Sequence, residues 1–389
     1  MQFCYFIPSR ILFGPGELSR LHEQAMPGKK ALIVISAGKS MRANGYLERV
    51  QKELELAGVS SVVFDKILPN PIRKHVMEGA ALAKAEGCDF IVGLGGGSSI
   101  DSAKSIAVMA TNPGDYWDYI SGGSGKEMPV KNPPLPIVAI TTTAGTGTEA
   151  DPFTVITKED TQEKIGFGVD GTFPVLSVVD PELMLSVPAH LTAYQGFDTL
   201  FHSTEGYLNM TANPISDMLA LKAIELIGKS LPKAVKEGQD LEARTDVALA
   251  NTLAGMVESL SGCISEHSIE HALSAYHPEL PHGAGLIMIS LAYYENFAKK
   301  PECGERIVQM AKALGDAEAK EPMDFVKRLK KLQEECGVAD LTMSGYGVDG
   351  NDLRKYAVKA RDTMGGLFDV DPVPVTEEDC LWILEKSYR

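Results

Sequence analysis

Residues 266–283, EHSIEHALSAYHPELPHG, hold four of the eight histidines in a chain of 389 residues. His267 and His271 are four apart in a stretch that reads as helix, so both imidazoles leave one face and can meet one ion. Pro278 and Pro281 end that helix and put His277 and His282 on a turn beyond it, from which His282 can fold back. A second pair stands in GFDTLFHSTEGYL (196–208), where Asp198 and His202 are again four apart. A carboxylate and an imidazole on one helix, facing imidazoles from another, make an N/O site of borderline hardness suited to Fe(II) or Zn(II). Spacing alone selects Asp198, His202, His267 and His271 as the ligands. The chemistry on offer is Lewis-acid activation of an oxygen-bearing substrate.

A second kind of chemistry is written in IVGLGGGSSIDSAKSIAVMA (91–110), which reads as strand, glycine turn and helix. Gly95, Gly96 and Gly97 clear the turn of side chains, so a diphosphate can approach the backbone and rest on the first N–H groups of a helix starting near Ser98 or Ser99. A helix start favours an anion by only about 0.3–1 kcal/mol where exposed, so access matters as much as charge. The stretch matches neither standard nucleotide motif: a G-x-G-x-x-G begun at Gly93 fails at Ser98, and no P-loop pattern occurs. TTTAGTGTE (141–149) follows another strand with threonine hydroxyls and two glycines, a loop that can surround a polar ligand. Two such loops after neighbouring parallel strands mark the place where an α/β sheet puts its ligand.

The elements that must position these residues alternate in the first half of the chain. Apolar runs at ALIVI (31–35), SVVF (61–64), FIVGLG (90–95), IVAITTT (137–143) and VLSVVD (175–180) are separated by helix-like stretches. That pattern predicts a mostly parallel sheet with helices on its faces. After DPELMLSVP (180–188), Ala, Leu, Glu and Lys recur at helical spacing, as in SDMLALKAIELIGKSL (216–231) and EPMDFVKRLKKLQEEC (321–336). We therefore expect an α/β dinucleotide-binding domain over 1–186 and an all-helical metal-binding domain over 187–389. SGGSGKEMPVKNPP (121–134) reads as a surface loop. The net charge of −15 disfavours nucleic acid and anionic membrane as partners. A single nucleotide stays compatible with it, because backbone N–H groups hold phosphate without basic side chains. No apolar run reaches the roughly 18 residues of a membrane span, and MQFCYFIPSR lacks the features of a signal peptide. With six cysteines and no C-x-x-C pair, the expectation is a cytoplasmic protein with free thiols.

Taken together and in order, FIPSRILFGPGEL, GGGSSIDSAK, TTTAGTGTE, DPELMLSVP, GFDTLFHSTEGYL, HSIEH with LPHGAG, and DVDPVPVTEEDCLWIL span nearly the whole chain. In these motifs the chain resembles the iron-containing alcohol dehydrogenase family, whose fold is shared with glycerol dehydrogenase and dehydroquinate synthase. The resemblance implies an N-terminal α/β domain with a Rossmann-like, mostly parallel sheet and an all-α C-terminal domain. It amends the ligand set to Asp198, His202, His267 and His282, and it places His271 near the nicotinamide as a candidate proton relay. One extra residue between His271 and His282 departs from the family pattern; His277 is then a solvent-facing turn residue, the reading we favour, or a polar contact at the pocket mouth. Gly95, Gly96, Gly97 and Ser98 would cradle the pyrophosphate, and Asp101, Thr142, Thr143, Thr146 and Lys164 would contact the cofactor. At the ribose end, with Gly38 and Ser40, Ser36 stands where NAD-preferring members carry an Asp. A missing carboxylate with Lys39 and Arg42 close by suits a 2′-phosphate, which favours NADP over NAD.

The implied activity is hydride transfer between a small primary alcohol or aldehyde and NAD(P), in a cleft between the domains of a homodimer. Rival readings remain open at this level. A glycerol dehydrogenase-like enzyme would hold zinc and act on a polyol. A dehydroquinate synthase-like lyase would need a basic pocket, which the scarcity of Lys and Arg over 250–290 opposes. A metallohydrolase would use the same ligands with the glycine turn as a mere turn, and would bind no nicotinamide. Ligand type does not separate iron from zinc, since both accept imidazole and carboxylate.

Overall fold

A computed structural model describes residues 2–389. The chain divides into two compact units, one of Ile7–Thr143 with Gly147–Ser186, the other of Val187–Arg389 with Ala144–Thr146 and the segment ending at Phe6.

The first unit carries strands β1 (Arg10–Phe13), β2 (Lys30–Ser36), β3 (Ser60–Ile67), β4 (Phe90–Gly95), β5 (Ile137–Thr141), β6 (Thr154–Lys158), β7 (Glu163–Phe167) and β8 (Leu176–Val179), with helices α1 (Ser40–Ala43), α2 (Tyr46–Leu56), α3 (Arg73–Glu86) and α4 (Gly97–Thr111). Six strands form one sheet in the order β1-β8-β5-β4-β2-β3, every neighbouring pair parallel. All residues of β4 and β5 are buried, which is why these strands read as unbroken apolar runs: a parallel sheet covered on both faces has no polar side. Ile33, Ile35, Val92, Val138 and Val178 share one core cluster with Leu47, Val50 and Leu54 of α2. Asp180 joins two of the sequence motifs, its carboxylate accepting from the N–H groups of Gly16 (3.0 Å), Leu18 (3.1 Å) and Glu182 (3.0 Å). Two features escaped the sequence reading. The edge strand β1 is only four residues long, and β6 pairs with β7 as a separate antiparallel hairpin whose residues are partly exposed. The stretch 121–134 contains neither helix nor strand.

The second unit is helical: α5 (Ala189–Leu208), α6 (Pro214–Lys236), α7 (Leu241–Leu260), α8 (Ser265–Tyr276), α9 (His282–Ala298), α10 (Gly304–Ala313), α11 (Pro322–Glu335), α12 (Leu353–Met364) and α13 (Glu377–Ser387). α5 packs on α6, α7 and α9, while α8 packs on α9 and α12. The start of α5 is fixed by buried Arg244 on α7, which donates to the Thr192 hydroxyl at 2.7 Å and the Val187 carbonyl at 2.9 Å. The prolines behave differently from expectation. α8 does end at Tyr276, ahead of Pro278, but Pro281 is the cap of a new helix whose first residue is His282, not a continuation of the turn. A proline costs nothing at a helix start, where no N–H partner is needed. No single helix is long and apolar enough to cross a membrane among the described residues.

Candidate metal centre and nucleotide-binding turn

Asp198, His202 and Glu205 recur at i, i+4 and i+7 on α5, so they line one face of it. α8 offers His267, Glu270 and His271, and the first turn of α9 offers His282. The three histidines converge on one carboxylate oxygen: His202 Nε2, His267 Nε2 and His282 Nε2 lie 3.4, 3.6 and 3.5 Å from Asp198 Oδ1. Asp198 Oδ1 and His267 Nε2 are both buried, and neither has a hydrogen-bond partner. Leaving such atoms unpaired costs about 1–3 kcal/mol each, so a native site of this kind has a further occupant. The spacing says what kind. Bonds of about 2.1–2.2 Å to N and O ligands give a tetrahedron with edges of about 3.4–3.6 Å. The three separations from Asp198 Oδ1 therefore match edges of such a tetrahedron; Asp198, His267 and His282 bring ligand atoms within 4.8 Å of one another, while His202 forms a second group with Cys263 and His267. Side-chain exposure is 4–7% for Asp198, His202 and His267 but 22% for His282, so the site is open on the side of His282.

The other imidazole nitrogens point outward to acids. His267 Nδ1 pairs with Glu205, and His282 Nδ1 pairs with Glu270. His202 Nδ1 meets the Cys263 thiol at 3.2 Å and Glu258 Oε2 at 3.3 Å. A carboxylate on Nδ1 holds the proton there and leaves the Nε2 lone pair aimed inward, the arrangement that orients histidine ligands in metal sites. Glu205 also accepts from the Ile264 N–H at 2.8 Å, tying α5 to the start of α8. Asp371, from the DVDPVP motif, fixes the same end by accepting from Ser265 N (3.2 Å) and Oγ (2.9 Å), and burial pushes its carboxyl up to about 8. In the cluster itself burial opposes charge on His267, but Glu205 and Asp198 outweigh it and hold the imidazole well above its usual value. His202 is raised in the same way, against burial, by Cys263, Glu258 and Asp198. Burial would raise the Asp198 carboxyl, yet His282 and His202 keep it well below the ordinary range. Without metal the site thus binds protons, and metal loading must expel them.

His271, the fourth ligand suggested by spacing, has its Nδ1 3.0 Å from Met364 Sδ and its ring centroid 5.3 Å from that of His282, and it groups with Glu270 and His282 rather than with Asp198. His277 departs from the solvent-facing reading. It is half-buried, with Nε2 2.8 Å from the Tyr356 hydroxyl. The glycines of LPHGAG also have steric reasons. A Cβ on Gly283 would stand 2.2 Å from the Tyr194 carbonyl oxygen, and one on Gly285 would stand 2.8 Å from Glu270 Cγ and Oε1.

In the first unit the glycine turn joins β4 to α4. Gly95 has φ +147°, Gly96 caps the helix, and α4 opens at Gly97, slightly earlier than the expected Ser98 or Ser99. The first N–H groups bonded within the helix are those of Ser99 and Ile100, both to the Gly96 carbonyl, so the N–H groups of Gly97 and Ser98 stand ahead of the ladder, where an anion binds. The Ser98 hydroxyl donates to the Pro69 carbonyl. Thr142 N–H donates to the Gly95 carbonyl at 2.9 Å, and Thr143 lies so close that a Cβ on Gly96 would meet its Oγ1 at 2.8 Å. Asp101 is turned inward. It accepts from Thr148 Oγ1 (2.8 Å) and Val155 N–H (2.9 Å), and burial pushes it up to about 6. Lys164 is buried in β7, Thr146 is half-buried in the segment grouped with the helical unit, and Gly38 and Ser40 are exposed beyond β2. Lys104, unremarked in the sequence, is wholly buried and donates to Thr148 Oγ1, Asp151 Oδ1 and the carbonyls of Asp151 and Phe153 at 2.7–3.0 Å.

Residues 8–181 match the family model for iron-containing alcohol dehydrogenase, and residues 192–388 match the C-terminal model of the same family. The chain belongs to the iron-containing alcohol dehydrogenase family. It is 34% identical over 387 residues to alcohol dehydrogenase 4 of Saccharomyces cerevisiae strain YJM789, covering 99% of this chain and 98% of that one. It is 37% identical over 368 residues to an NAD-dependent methanol dehydrogenase of Bacillus methanolicus, covering 92% of each. Among solved structures it matches an archaeal halo-thermophilic alcohol dehydrogenase from a Red Sea brine pool with a TM-score of 0.94 at 35% identity, covering 100% of this chain and 99% of that one. As an alcohol dehydrogenase of this family the chain is an oxidoreductase. Sequence reading missed its Glu205, Glu258, Cys263 and Glu270. Glu205 and Glu270 each stand three residues after a histidine on one helix face, a signal that was present in the spacing.

Proposed function

We propose that this protein interconverts small primary alcohols and aldehydes by direct hydride transfer with NAD(P), using a metal held by Asp198, His202, His267 and His282. The convergence of three imidazole nitrogens on a buried, unpartnered Asp198 Oδ1 carries the reading. When bound, a divalent metal supplies the Lewis acid that makes an alcohol proton acidic near neutral pH, and the nicotinamide supplies the hydride acceptor. The chain's own contribution is orientation. Asp198 gives one negative charge, Glu205 and Glu270 fix the tautomers of His267 and His282, and the open side at His282 admits the substrate oxygen. His271, beside His282, is the proton relay in this reading.

We take the metal to be Fe(II), with Zn(II) as the alternative. The substrate class is supported by relatives named for methanol and 1,3-propanediol, the latter from Klebsiella pneumoniae at 36% identity over 318 residues. A polyol substrate is the second choice. For the nucleotide, relatives named as NAD-dependent or NADH-dependent speak for NAD; in this chain we favour NADP, because Ser36 ends β2 without a carboxylate and Lys39 and Arg42 follow it. The glycine turn and Thr142, Thr143, Thr146 and Lys164 are the remaining cofactor contacts in this reading. Cytoplasmic location is supported by six free cysteines, and a homodimer by the exposed run of Phe3, Tyr5 and Phe6. A primary alcohol deuterated at C1 tests the reaction class: the reduced nicotinamide is expected to carry the deuterium by mass spectrometry. Reduced nicotinamide without label would contradict direct transfer from C1, and no reduction at all would favour the hydrolase reading.

A further inference from the structure

Arg42, on α1 just after β2, and Asp65, near the end of β3, form a charge pair that neither the metal centre nor the glycine turn uses. β2 lies beside β4 in the sheet, so the loop after β2 is the neighbour of the glycine turn, and in dinucleotide-binding sheets the ribose hydroxyls are held at this strand end. On the other side β2 pairs with β3, and the register slips there: Val34 faces Phe64 but Ser36 faces Ile67, so β3 carries one residue more. Asp65 and Lys66 occupy that bulge, a device that re-aims side chains beside functional sites. Lys66 is taken by Glu78 at 2.8 Å. Asp65 turns to Arg42 and accepts from its Nη2 at 2.8 Å, both side chains about half exposed.

An exposed pair of this kind is worth about 0–1 kcal/mol, and a phosphate monoester offers the same guanidinium three acceptor oxygens and a charge of about −1.5 to −2 against the single charge of a carboxylate. A phosphate placed here would therefore win Arg42 from Asp65, and the released carboxylate would then repel it. With Arg42 as the cation that meets the 2′-phosphate in the nucleotide reading above, we propose that Asp65, by pairing with Arg42, holds down the preference for NADP over NAD. The proposal rests on the nucleotide reading above. It assigns the discrimination to two strand ends together, with the carboxylate absent at Ser36 present instead one strand further out.

The test is fluorescence titration of the metal-loaded enzyme with NADPH and with NADH, for the natural chain, Arg42→Gln and Asp65→Asn. Arg42→Gln is expected to weaken NADPH by about ten- to a hundredfold, one charge-assisted hydrogen bond, with NADH within twofold. Asp65→Asn should tighten NADPH by about threefold, the scale of one screened surface charge, again with NADH unchanged. Both side chains are exposed, so unaltered circular dichroism is expected for each variant. Equal shifts for the two nucleotides, or no shift in either variant, would overturn the proposal. A natural chain that binds NADH more tightly, with Arg42→Gln still selective against NADPH, would refute the NADP preference and leave the Arg42–Asp65 assignment standing.

Discussion

Replacing His282 with alanine is expected to remove metal and activity together. His282 is one of four donors whose ligating atoms lie 3.4–3.6 Å from Asp198 Oδ1 or belong to it, and it is the one on the open side. Its loss should exceed the 10–100-fold in metal affinity that even an outer partner of a ligand is worth. The Lewis acid contributes several kcal/mol to the reaction, so kcat of metal-depleted protein should fall by about a thousandfold at about 1.4 kcal/mol per decade. His271→Ala is the control that separates the two ligand sets. It should keep its metal by elemental analysis while losing kcat, because His271 Nδ1 faces Met364 and its ligand atoms group with Glu270 and His282 rather than with Asp198. Full occupancy in His282→Ala, or metal loss in His271→Ala, would return the fourth position to His271.

A second large effect is expected one bond further out. Glu270→Gln keeps the size of the side chain but removes the charge that holds the proton on His282 Nδ1, and it should weaken metal binding by about 10–100-fold in chelator competition. Gly285→Ala reaches the same contact through space, since its methyl group would meet Glu270 Cγ and Oε1 at 2.8 Å. The two variants should move metal affinity in the same direction, and Gly285→Ala should in addition lose about 1–3 kcal/mol of stability from overpacking. Proton competition gives both a pH signature. His202 and His267 are held above their ordinary value in the metal-free protein, so metal affinity should weaken as pH falls, starting above the usual imidazole range. Unchanged affinity in Glu270→Gln would mean that His282 is oriented by its helix alone.

Much of this was legible before the structure, and what was not has physical reasons. β2, β4, β5 and β8 stand out because burial on both faces leaves continuous apolar runs, and the edge strand β3 shows only through its short VVF core, whereas β1 is four residues long and the β6–β7 hairpin is part-exposed and interleaved with polar residues. Asp198, His202 and His267 could be found from helical spacing, since i and i+4 share a face whatever the tertiary fold. His282 could not. Its place depends on Pro281 opening a helix rather than prolonging a turn, and a proline near a helix boundary serves either role. The partners on Nδ1 were hidden for another reason: which ring nitrogen faces Asp198 is a rotamer choice, set by packing against Glu205, Glu270 and Cys263. Asp101 and Lys104 illustrate the limit of motif reading, because both belong to GGGSSIDSAK yet direct their charged atoms into the protein, toward residues 148–155.

The most direct measurement is metal dependence itself. Protein purified without oxygen, stripped by chelation and verified metal-free would be given Fe(II) or Zn(II), and NADPH and NADH oxidation followed with a short aliphatic aldehyde. The expected result is negligible oxidation in the stripped protein and recovery with at least one of the two ions. An undiminished rate in protein shown to be free of metal would contradict the assignment of Asp198, His202, His267 and His282 as a catalytic metal centre.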